Sequence, residues 1–243
     1  MKRLLLCLLL VAGCATPRKV EQDHDAPPAQ LCVDVLFYNR DWFENAHEPL
    51  PDATWDWAKY GEVAERLARQ RDIDFAATLP RALLLMQSYG ATLFVNNQCK
   101  IDSPETVAAL EMYRNLAMTG LATADGVELF KSQKIAMFVG RSDAIPEFAK
   151  ITDFRWGVVV VPKGKVRWSR LEPSKVHMST EPAVVRESLA FSHIENPWGL
   201  PGWDEFYRRA FVVLPEGIAL GHLEPDEAAI LMQGVGEELL TGK

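Results

Sequence analysis

The chain has 243 residues, of which 33 are acidic and 26 are basic, so its formal net charge is −7. An acidic chain without a basic stripe argues against nucleic-acid binding, because contacts to phosphates need clustered Lys and Arg side chains. Hydrophobic residues make up 48% of the sequence, and the length suffices for one substantial core or two small ones.

The N-terminus has the features of a bacterial export signal that ends on a cysteine. Lys2 and Arg3 precede the apolar run 4–11, which is much shorter than the roughly 20 residues of a membrane-spanning helix. The run continues into Val11-Ala12-Gly13-Cys14, which resembles the lipobox of bacterial lipoproteins. The signal peptide is therefore predicted to be residues 1–13, and its removal takes away two cations and changes the charge from −7 to −9.

The resemblance to a lipobox implies that Cys14 is lipidated and anchors the chain to a membrane outside the cytoplasm. Two or three acyl chains hold a protein firmly, whereas one chain holds it weakly. The alternative is an ordinary cleaved signal with a chance cysteine. Ala15 stands where an aspartate commonly retains lipoproteins in the inner membrane, which favours an outer membrane if the host has one. Residues 14–30 are polar and contain prolines, so they are predicted to be a flexible tether.

The predicted folded part, residues 31–243, alternates strand-like and helix-like segments. The predicted strands are apolar, β-branched runs bounded by turn residues: 31–38, 134–139 and 156–161. The predicted helices have apolar residues at helical spacing, and several begin at capping signals such as Thr54, Ser103-Pro104-Glu105 and Glu224-Pro225-Asp226: 54–70, 79–87, 103–120, 126–132, 202–214 and 226–240. This alternation predicts an α/β fold.

Two cysteines remain in the predicted folded part. Cys7 lies in the signal peptide and Cys14 in the lipobox, which leaves Cys32 and Cys99. Outside the cytoplasm a disulfide between them is permitted, but nothing in their spacing requires one. The sequence has no C-x-x-C pair, so a structural zinc site is not predicted.

The sequence does not predict an enzyme or a cofactor. It has no G-x-S-x-G elbow, no H-E-x-x-H, no phosphate-binding glycine loop and no dinucleotide fingerprint. His177, His193 and His222 could meet Glu195 or Glu224 in space, but loop histidines are more often solvated than bound to a metal.

Several motifs in chain order resemble those of the extracellular solute-binding proteins of sugar ABC transporters, the group that includes maltose-binding protein. The matching stretches cover most of the chain after the lipobox: VLFYNRDWFE (35–44), PDATWD (51–56), IDSPE (101–105), LFKSQKIAM (129–137), Gly140-Arg141, PEF (146–148), DFRW (153–156), VPKGK (161–165) and SLAF (188–191). The resemblance depends on the collinear set rather than on any single motif.

The resemblance implies a periplasmic-binding-protein-like fold of which mainly the second lobe is present. Family members have two lobes and bind solute in the cleft between them. Their opening segment has no counterpart between Cys14 and Leu31, and a second stretch is missing after Lys165. Both missing stretches belong largely to the first lobe. The chain is thus expected to form one sheet flanked by helices, with the first lobe largely absent and one wall of the solute site remaining.

The remaining wall has a short set of candidate ligand-binding residues. Sugar sites combine aromatic faces, which pack on the CH surface of the ring, with polar groups for its hydroxyls. Tyr89 is a candidate for stacking on a sugar ring, and Arg141 and Asp143 for binding hydroxyls. Ser142 stands where the family often has a tryptophan after Gly-Arg, which implies weaker binding. The alternative is that Tyr89 packs in the core and Arg141 is a solvated charge.

The tryptophans fall into two groups. Trp168, Trp198 and Trp203 lie in proline- or glycine-bearing loops or at a helix start, so they are candidates for a surface that contacts a ligand or a partner. The others lie within apolar strand or helix patterns and are predicted to be in the core: Trp42, Trp55, Trp57 and Trp156.

Two functions from different classes follow from these observations. The first is a lipid-anchored, extracytoplasmic solute-binding protein associated with ABC-type sugar import, whose partners are a carbohydrate and an ABC permease and whose solute binding is weakened or lost. The alternative is a lipid-anchored protein-interaction module derived from one lobe. A remnant without activity is a third possibility, and the sequence does not separate the three.

Overall fold

A computed structural model describes residues 30–71, 73–96, 98–121, 126–174, 182–194 and 200–241. Among them, none of the helices combines the length and apolar character needed to cross a membrane. The signal peptide and most of the predicted tether, with Cys14, lie outside the described residues, as do Trp198 and His177.

The strands of the described residues form one mixed sheet and one small hairpin. They are β1 (Gln30–Asn39), β2 (Phe75–Ala77), β3 (Phe94–Val95), β4 (Gln98–Cys99), β5 (Ile135–Arg141), β6 (Trp156–Val160), β7 (Ser169–Ser174) and β8 (Ser192–Ile194). The sheet has the order β2-β5-β1-β7-β8, with β6 also paired to β1, and β3 and β4 form the hairpin. The three strands predicted from the sequence therefore share one sheet, as expected.

The long strand β1 is the centre of this sheet. Its C-terminal half pairs antiparallel with both β5 and β6, with Phe37 opposite Phe138 on one side and Val158 on the other. Its N-terminal half pairs antiparallel with β7, with Val33 opposite Leu171. Because β1 has partners along its whole length, it joins the two parts of the sheet.

The two faces of β1 lie in two different hydrophobic cores. Successive side chains of a strand point to opposite faces of its sheet. Val35 and Phe37 pack in the smaller core, with Phe130, Phe148 and other aromatic rings. Leu36 lies in the larger core, with residues such as Trp57 and Phe206. Both faces of the central strand are therefore buried, which explains why its sequence is apolar almost throughout.

Most of the helices are short, and two of them continue into π-helical turns. They are α1 (Arg40–Asn45), α2 (Trp57–Leu67), α3 (Ala82–Ser88), α4 (Pro104–Met118), α5 (Gly126–Lys131), α6 (Ile145–Phe148), α7 (Ala183–Leu189), α8 (Trp203–Arg208), α9 (Leu214–Ala219) and α10 (Pro225–Gly236). A 3-10 turn, Ser142–Ala144, follows β5, and π-helical turns follow α8 (Arg209–Val213) and α10 (Glu237–Thr241).

Several predicted helix starts are confirmed and others are corrected. The Ser103 hydroxyl caps α4 by accepting a hydrogen bond from the Thr106 amide at 3.3 Å. The cap of α2 is Asp56 rather than Thr54, because the Asp56 carboxylate accepts from the Lys59 amide at 2.8 Å, whereas Thr54 is bonded to Asp52.

The boundaries of α3 and β5 also differ from prediction. Helix α3 begins at Ala82 instead of residue 79 because Arg81 is still extended, with φ −61° and ψ 137°. An extended backbone is also favoured for Leu79, which precedes a proline. Strand β5 continues through Gly140 to Arg141, so this glycine does not end it as predicted.

The two cysteines of the folded part are free thiols, so the disulfide left open by the sequence is not formed. Cys32 lies on β1 and Cys99 on β4, and both are buried. Burial raises the pKa of each thiol to about 11. Both thiols therefore stay protonated at neutral pH, the less reactive form.

Candidate functional site

Six charged side chains form an alternating chain where β1, β5 and β7 meet the start of α3. Three arginines alternate with three carboxylates in the order Arg81, Asp34, Arg170, Glu172, Arg141 and Asp143. The charges balance within the group. They come from segments up to 138 positions apart, since Asp34 lies on β1 and Glu172 on β7, so only the folded sheet brings them together.

Asp34 is the most buried member of this ion network, with 3% of its surface exposed. Its Oδ2 lies 2.5 Å from Arg81 Nη2, and its Oδ1 lies 3.6 Å from Arg170 Nη2. Its backbone carbonyl accepts a hydrogen bond from the Ser169 hydroxyl at 3.0 Å. A carboxylate at this depth needs such partners, because an unpaired buried charge is strongly unfavourable.

The predicted residues Arg141, Ser142 and Asp143 lie at the end of β5 but mainly contact the protein itself. Arg141 binds Asp143, with Nη2 2.9 Å from Oδ2, and also contacts Glu172. The hydrogen bond to Asp143 raises the pKa of Arg141 above its ordinary value. Ser142 is buried, and its hydroxyl accepts a hydrogen bond from the Val33 amide at 3.1 Å. Ser142 therefore faces β1, so it is not placed to meet a solute.

A groove of about 480 Å³ opens next to the ion network. The start of α3 forms one side and the α8–α9 region the other, and the lining residues are Leu79, Pro80, Arg81, Ala82, Tyr113, Tyr207, Phe211, Val212, Glu216, Ala219 and Leu220. Arg81 belongs to both features, because it pairs with Asp34 and donates from Nη1 to the Tyr207 hydroxyl at 3.3 Å. The groove is thus connected to the centre of the sheet through one side chain.

Three aromatic residues line the groove: Tyr113, Tyr207 and Phe211. Tyr207 and Phe211 are four positions apart and pack edge to face, with ring centroids 5.6 Å apart. Tyr113 lies on α4, and burial, with a smaller contribution from the Glu216 carboxylate, raises its pKa to about 12. This lining gives an apolar surface with hydroxyl groups and charged groups at separate points.

Tyr89 lies outside this groove. It caps the C-terminal end of α3, whereas Arg81 caps the N-terminal end, so their backbones are about 12 Å apart at 1.5 Å per residue. Tyr89 is half-buried and packs against the larger core, and burial raises its pKa. In the described part of the chain, no hydrogen bond or ion pair joins Tyr89 to Arg141 or Asp143, which bind each other.

The expectation that Trp168 and Trp203 lie on the surface is wrong. Trp168 is only 6% exposed, and its ring stacks on His193 with centroids 6.2 Å apart. Trp203 is also buried and packs against Phe206. Their loop and helix-start positions in the sequence concealed this burial. Trp55 and Trp57 are buried as predicted, and Trp42 and Trp156 are half-buried against the two cores.

Metal binding has no candidate site in the described part of the chain. No group of three or more His, Cys, Asp or Glu side chains there is arranged to hold a metal ion. His193 instead packs on Trp168, and His177 and Glu195 lie outside the described residues.

The sequence matches a known family over most of its length. The family model for bacterial extracellular solute-binding proteins matches residues 14–201. The chain belongs to this family. Its members are extracellular binding proteins, so this solute-binding protein has an extracytoplasmic location. A search of curated proteins found no match to its sequence.

Solved structures of ABC-transporter binding proteins share the fold of this solute-binding protein. An ABC substrate-binding protein from Listeria monocytogenes in complex with cycloalternan aligns with TM-score 0.73 and 17% identity, over 86% of this chain and 70% of the other. The cyclic alpha-maltosyl-1,6-maltose binding protein from Arthrobacter globiformis gives 0.72 and 14%, over 88% and 71%. The GacH receptor of Streptomyces glaucescens gives 0.67 and 18%, over 88% and 70%. At these identities the similarity establishes the fold.

Sequence reasoning missed the groove residues of this solute-binding protein. One available signal was Arg81, a single cation at the start of the apolar run ALLLM. Another was the pair Tyr207 and Phe211, whose spacing places both rings on one helix face. Neither signal indicates that these residues lie next to Tyr113 and Glu216.

Proposed function

We propose that this protein is the extracytoplasmic solute-binding component of an ABC-type sugar import system, with weakened affinity for its solute. The observation that carries the proposal is the family match over residues 14–201. The solved structures with the same fold support the solute class, because they include complexes with cycloalternan and acarbose and a cyclic alpha-maltosyl-1,6-maltose binding protein. The partners are then a carbohydrate and an ABC permease.

The groove is the part of the chain best suited to hold such a solute. Sugar recognition needs apolar and aromatic faces together with a few polar groups. Tyr113, Tyr207 and Phe211 provide the rings, and Arg81 and Glu216 the charged groups. Its volume of about 480 Å³ falls within the usual range for small-ligand pockets.

The affinity is weakened because the polar groups at the end of β5 are already bound within the protein. Arg141 and Asp143 bind each other, and Ser142 binds the backbone of β1. None of these three residues lines the groove, so they supply no polar contact to a sugar bound there. A single lobe also encloses less of a ligand than two lobes do, and the rigid-body entropy lost on binding stays nearly the same.

The same observations favour a second candidate function, a lipid-anchored protein-interaction module. Polar groups that satisfy one another are unavailable to a small solute, and apolar side chains are exposed at the groove rim. Val212 is 49% exposed and Leu220 62%, and both line the groove. A flat protein surface could cover these side chains without displacing the ion network.

A thermal-shift screen with neutral mono- and disaccharides separates the two functions. A ligand that binds only the folded state raises the melting temperature. We expect small, concentration-dependent shifts at millimolar sugar, lost in Val212→Arg because the new side chain occupies the groove. Val213→Arg is the matched control, because the neighbouring residue is similarly exposed but does not line the groove. Equal shifts in both variants, or none in the wild type, would contradict the sugar proposal.

The proposal includes a lipid anchor at Cys14, supported by its position after Val11-Ala12-Gly13. We expect the chain expressed in bacteria to incorporate labelled palmitate and to fractionate with membranes, and Cys14→Ser to lose both properties. The reason is that the thiol of Cys14 is the attachment point of the lipid. Cys7→Ser is the control and should label as the wild type does. Membrane association of Cys14→Ser at the wild-type level would show that the anchor lies elsewhere.

A further inference from the structure

The groove contains a carboxylate without a protein partner among the described residues. Glu216 lies on α9, lines the groove and is exposed. Its backbone carbonyl accepts a hydrogen bond from the Leu220 amide at 3.0 Å, but no hydrogen bond or ion pair joins its side-chain carboxylate to another residue in the described ranges. Its position is close enough to Tyr113 for its charge to act on that phenol. A free carboxylate beside an aromatic ring is therefore available to a bound molecule.

The cations near Glu216 are paired with other carboxylates. Arg81 lies 2.5 Å from Asp34, and its Nη1 donates to Tyr207. The arginines that flank the groove residues in sequence are also paired: Arg114 with Glu224 at 2.5 Å, Arg208 with Glu205 at 2.6 Å and Arg209 with Glu238 at 3.2 Å. The unbalanced charge of the groove is therefore the negative charge of Glu216.

The rest of the lining suits a ligand that carries a positive charge on a ring with apolar faces. The rings of Tyr113, Tyr207 and Phe211 line the groove, and aromatic faces attract cations within about 6 Å. The hydroxyl of Tyr207 accepts from Arg81 and retains a further lone pair. A protonated amine carried on a pyranose ring would meet a carboxylate, aromatic faces and hydroxyl groups in one groove.

We infer that the groove selects amino sugars, in which a protonated amine replaces a ring hydroxyl, over neutral sugars of the same size. This inference rests on the proposed solute-binding function and names the chemical class of the solute. The amine is bound by Glu216, and the sugar ring packs on the aromatic lining. Specificity comes from charge, because the neutral and cationic sugars have nearly the same shape.

Titration calorimetry with three matched disaccharides tests this inference. The probes are the β-1,4-linked disaccharide of glucosamine, its N,N′-diacetyl form and cellobiose, at a pH where the free amines are protonated. We expect the glucosamine disaccharide to bind about tenfold more tightly than the other two, a difference of about 1.4 kcal/mol. Added salt should reduce this preference, because screening weakens an exposed ion pair.

Two variants test whether Glu216 causes the preference for the glucosamine disaccharide. Glu216→Gln should bind the three disaccharides with equal affinity, whereas Glu227→Gln should keep the wild-type preference. Glu227 is a matched control because it is exposed on α10 and does not line the groove.

The outcomes separate this inference from the proposed function. If all three disaccharides bind the wild type equally, or if Glu216→Gln retains the preference, the selection of amino sugars is wrong and the solute-binding function stands. If none of the three binds at any concentration, the selection of amino sugars is wrong, and the screen with other neutral sugars decides the solute-binding function.

Discussion

Replacing Asp34 with asparagine should lower the free energy of unfolding by about 3 kcal/mol. The carboxylate is buried between Arg81 and Arg170, at 2.5 and 3.6 Å. Removing one member of a buried ion pair typically costs about 3–5 kcal/mol, because the remaining charge is left without compensation. The lower end applies here, since both guanidinium groups reach solvent in part. Urea unfolding of the two proteins measures the difference.

Asp74→Asn is the matched control for this substitution. Asp74 pairs with Lys134 at 3.3 Å, but both side chains are about half exposed, so the loss should be below about 1 kcal/mol. An Asp34→Asn protein as stable as the control would contradict a structural role for the ion network. Asp34→Asn should also weaken solute binding in the groove, because Arg81 loses the partner that fixes its position.

Replacing Phe37 with alanine should cost about 4 kcal/mol, the largest loss that we expect from a single substitution. Phe37 is fully buried at the centre of the smaller core, with ring centroids 5.0 Å from those of both Phe138 and Phe148. Truncating a buried phenylalanine to alanine removes its apolar contacts and leaves a cavity, at a typical cost of about 3–5 kcal/mol.

Urea unfolding again provides the measurement, with Val166→Ala as the control. Val166 is half exposed, so its truncation should change the stability by less than about 0.5 kcal/mol. Phe37 points to the opposite face of the sheet from Asp34. Folded Phe37→Ala protein should therefore keep the solute affinity of the wild type. A loss below about 1 kcal/mol would mean that the small core does not depend on this ring.

The elements that could be predicted from the sequence are those whose signals are local. Strand β1 is predicted because its apolar run is long enough to be a buried strand, and α4 because Ser103 and Pro104 mark a helix start. The small strands β2 and β8 were missed, since three residues carry little periodicity. The short helix α1 was missed for the same reason, although the Asn39 side chain caps it.

The site was only partly predictable, because its residues come together through tertiary structure. Arg141 and Asp143 were identified from a family motif, but the pairing of Arg141 with Glu172 depends on the registers of β5 and β7 against β1. Trp168 lies in a loop-like sequence, yet it is buried against His193. Loop composition alone does not reveal such burial.

The groove residues could not be predicted from the sequence, for a related reason. They come from the start of α3, from α4 and from the α8–α9 region, which are far apart in the chain. Helix α8 was predicted to continue to residue 214, but the helical region extends to Ala219 through the π-helical turns after Arg208. A 3.6-residue period assigns a different face to the side chains beyond such turns, and Glu216 lies after the first of them.

Titration calorimetry of the wild-type chain with neutral disaccharides tests the proposed function most directly. A micromolar affinity corresponds to about −8 kcal/mol, and half of the usual contacts would leave about −4 kcal/mol, which is in the millimolar range. We predict saturable binding with a dissociation constant weaker than about 0.1 mM, lost in Val212→Arg and kept in Val213→Arg. A low-micromolar affinity would contradict the claim that a single lobe binds sugar weakly. The absence of saturable heat with every sugar would contradict the solute-binding function itself.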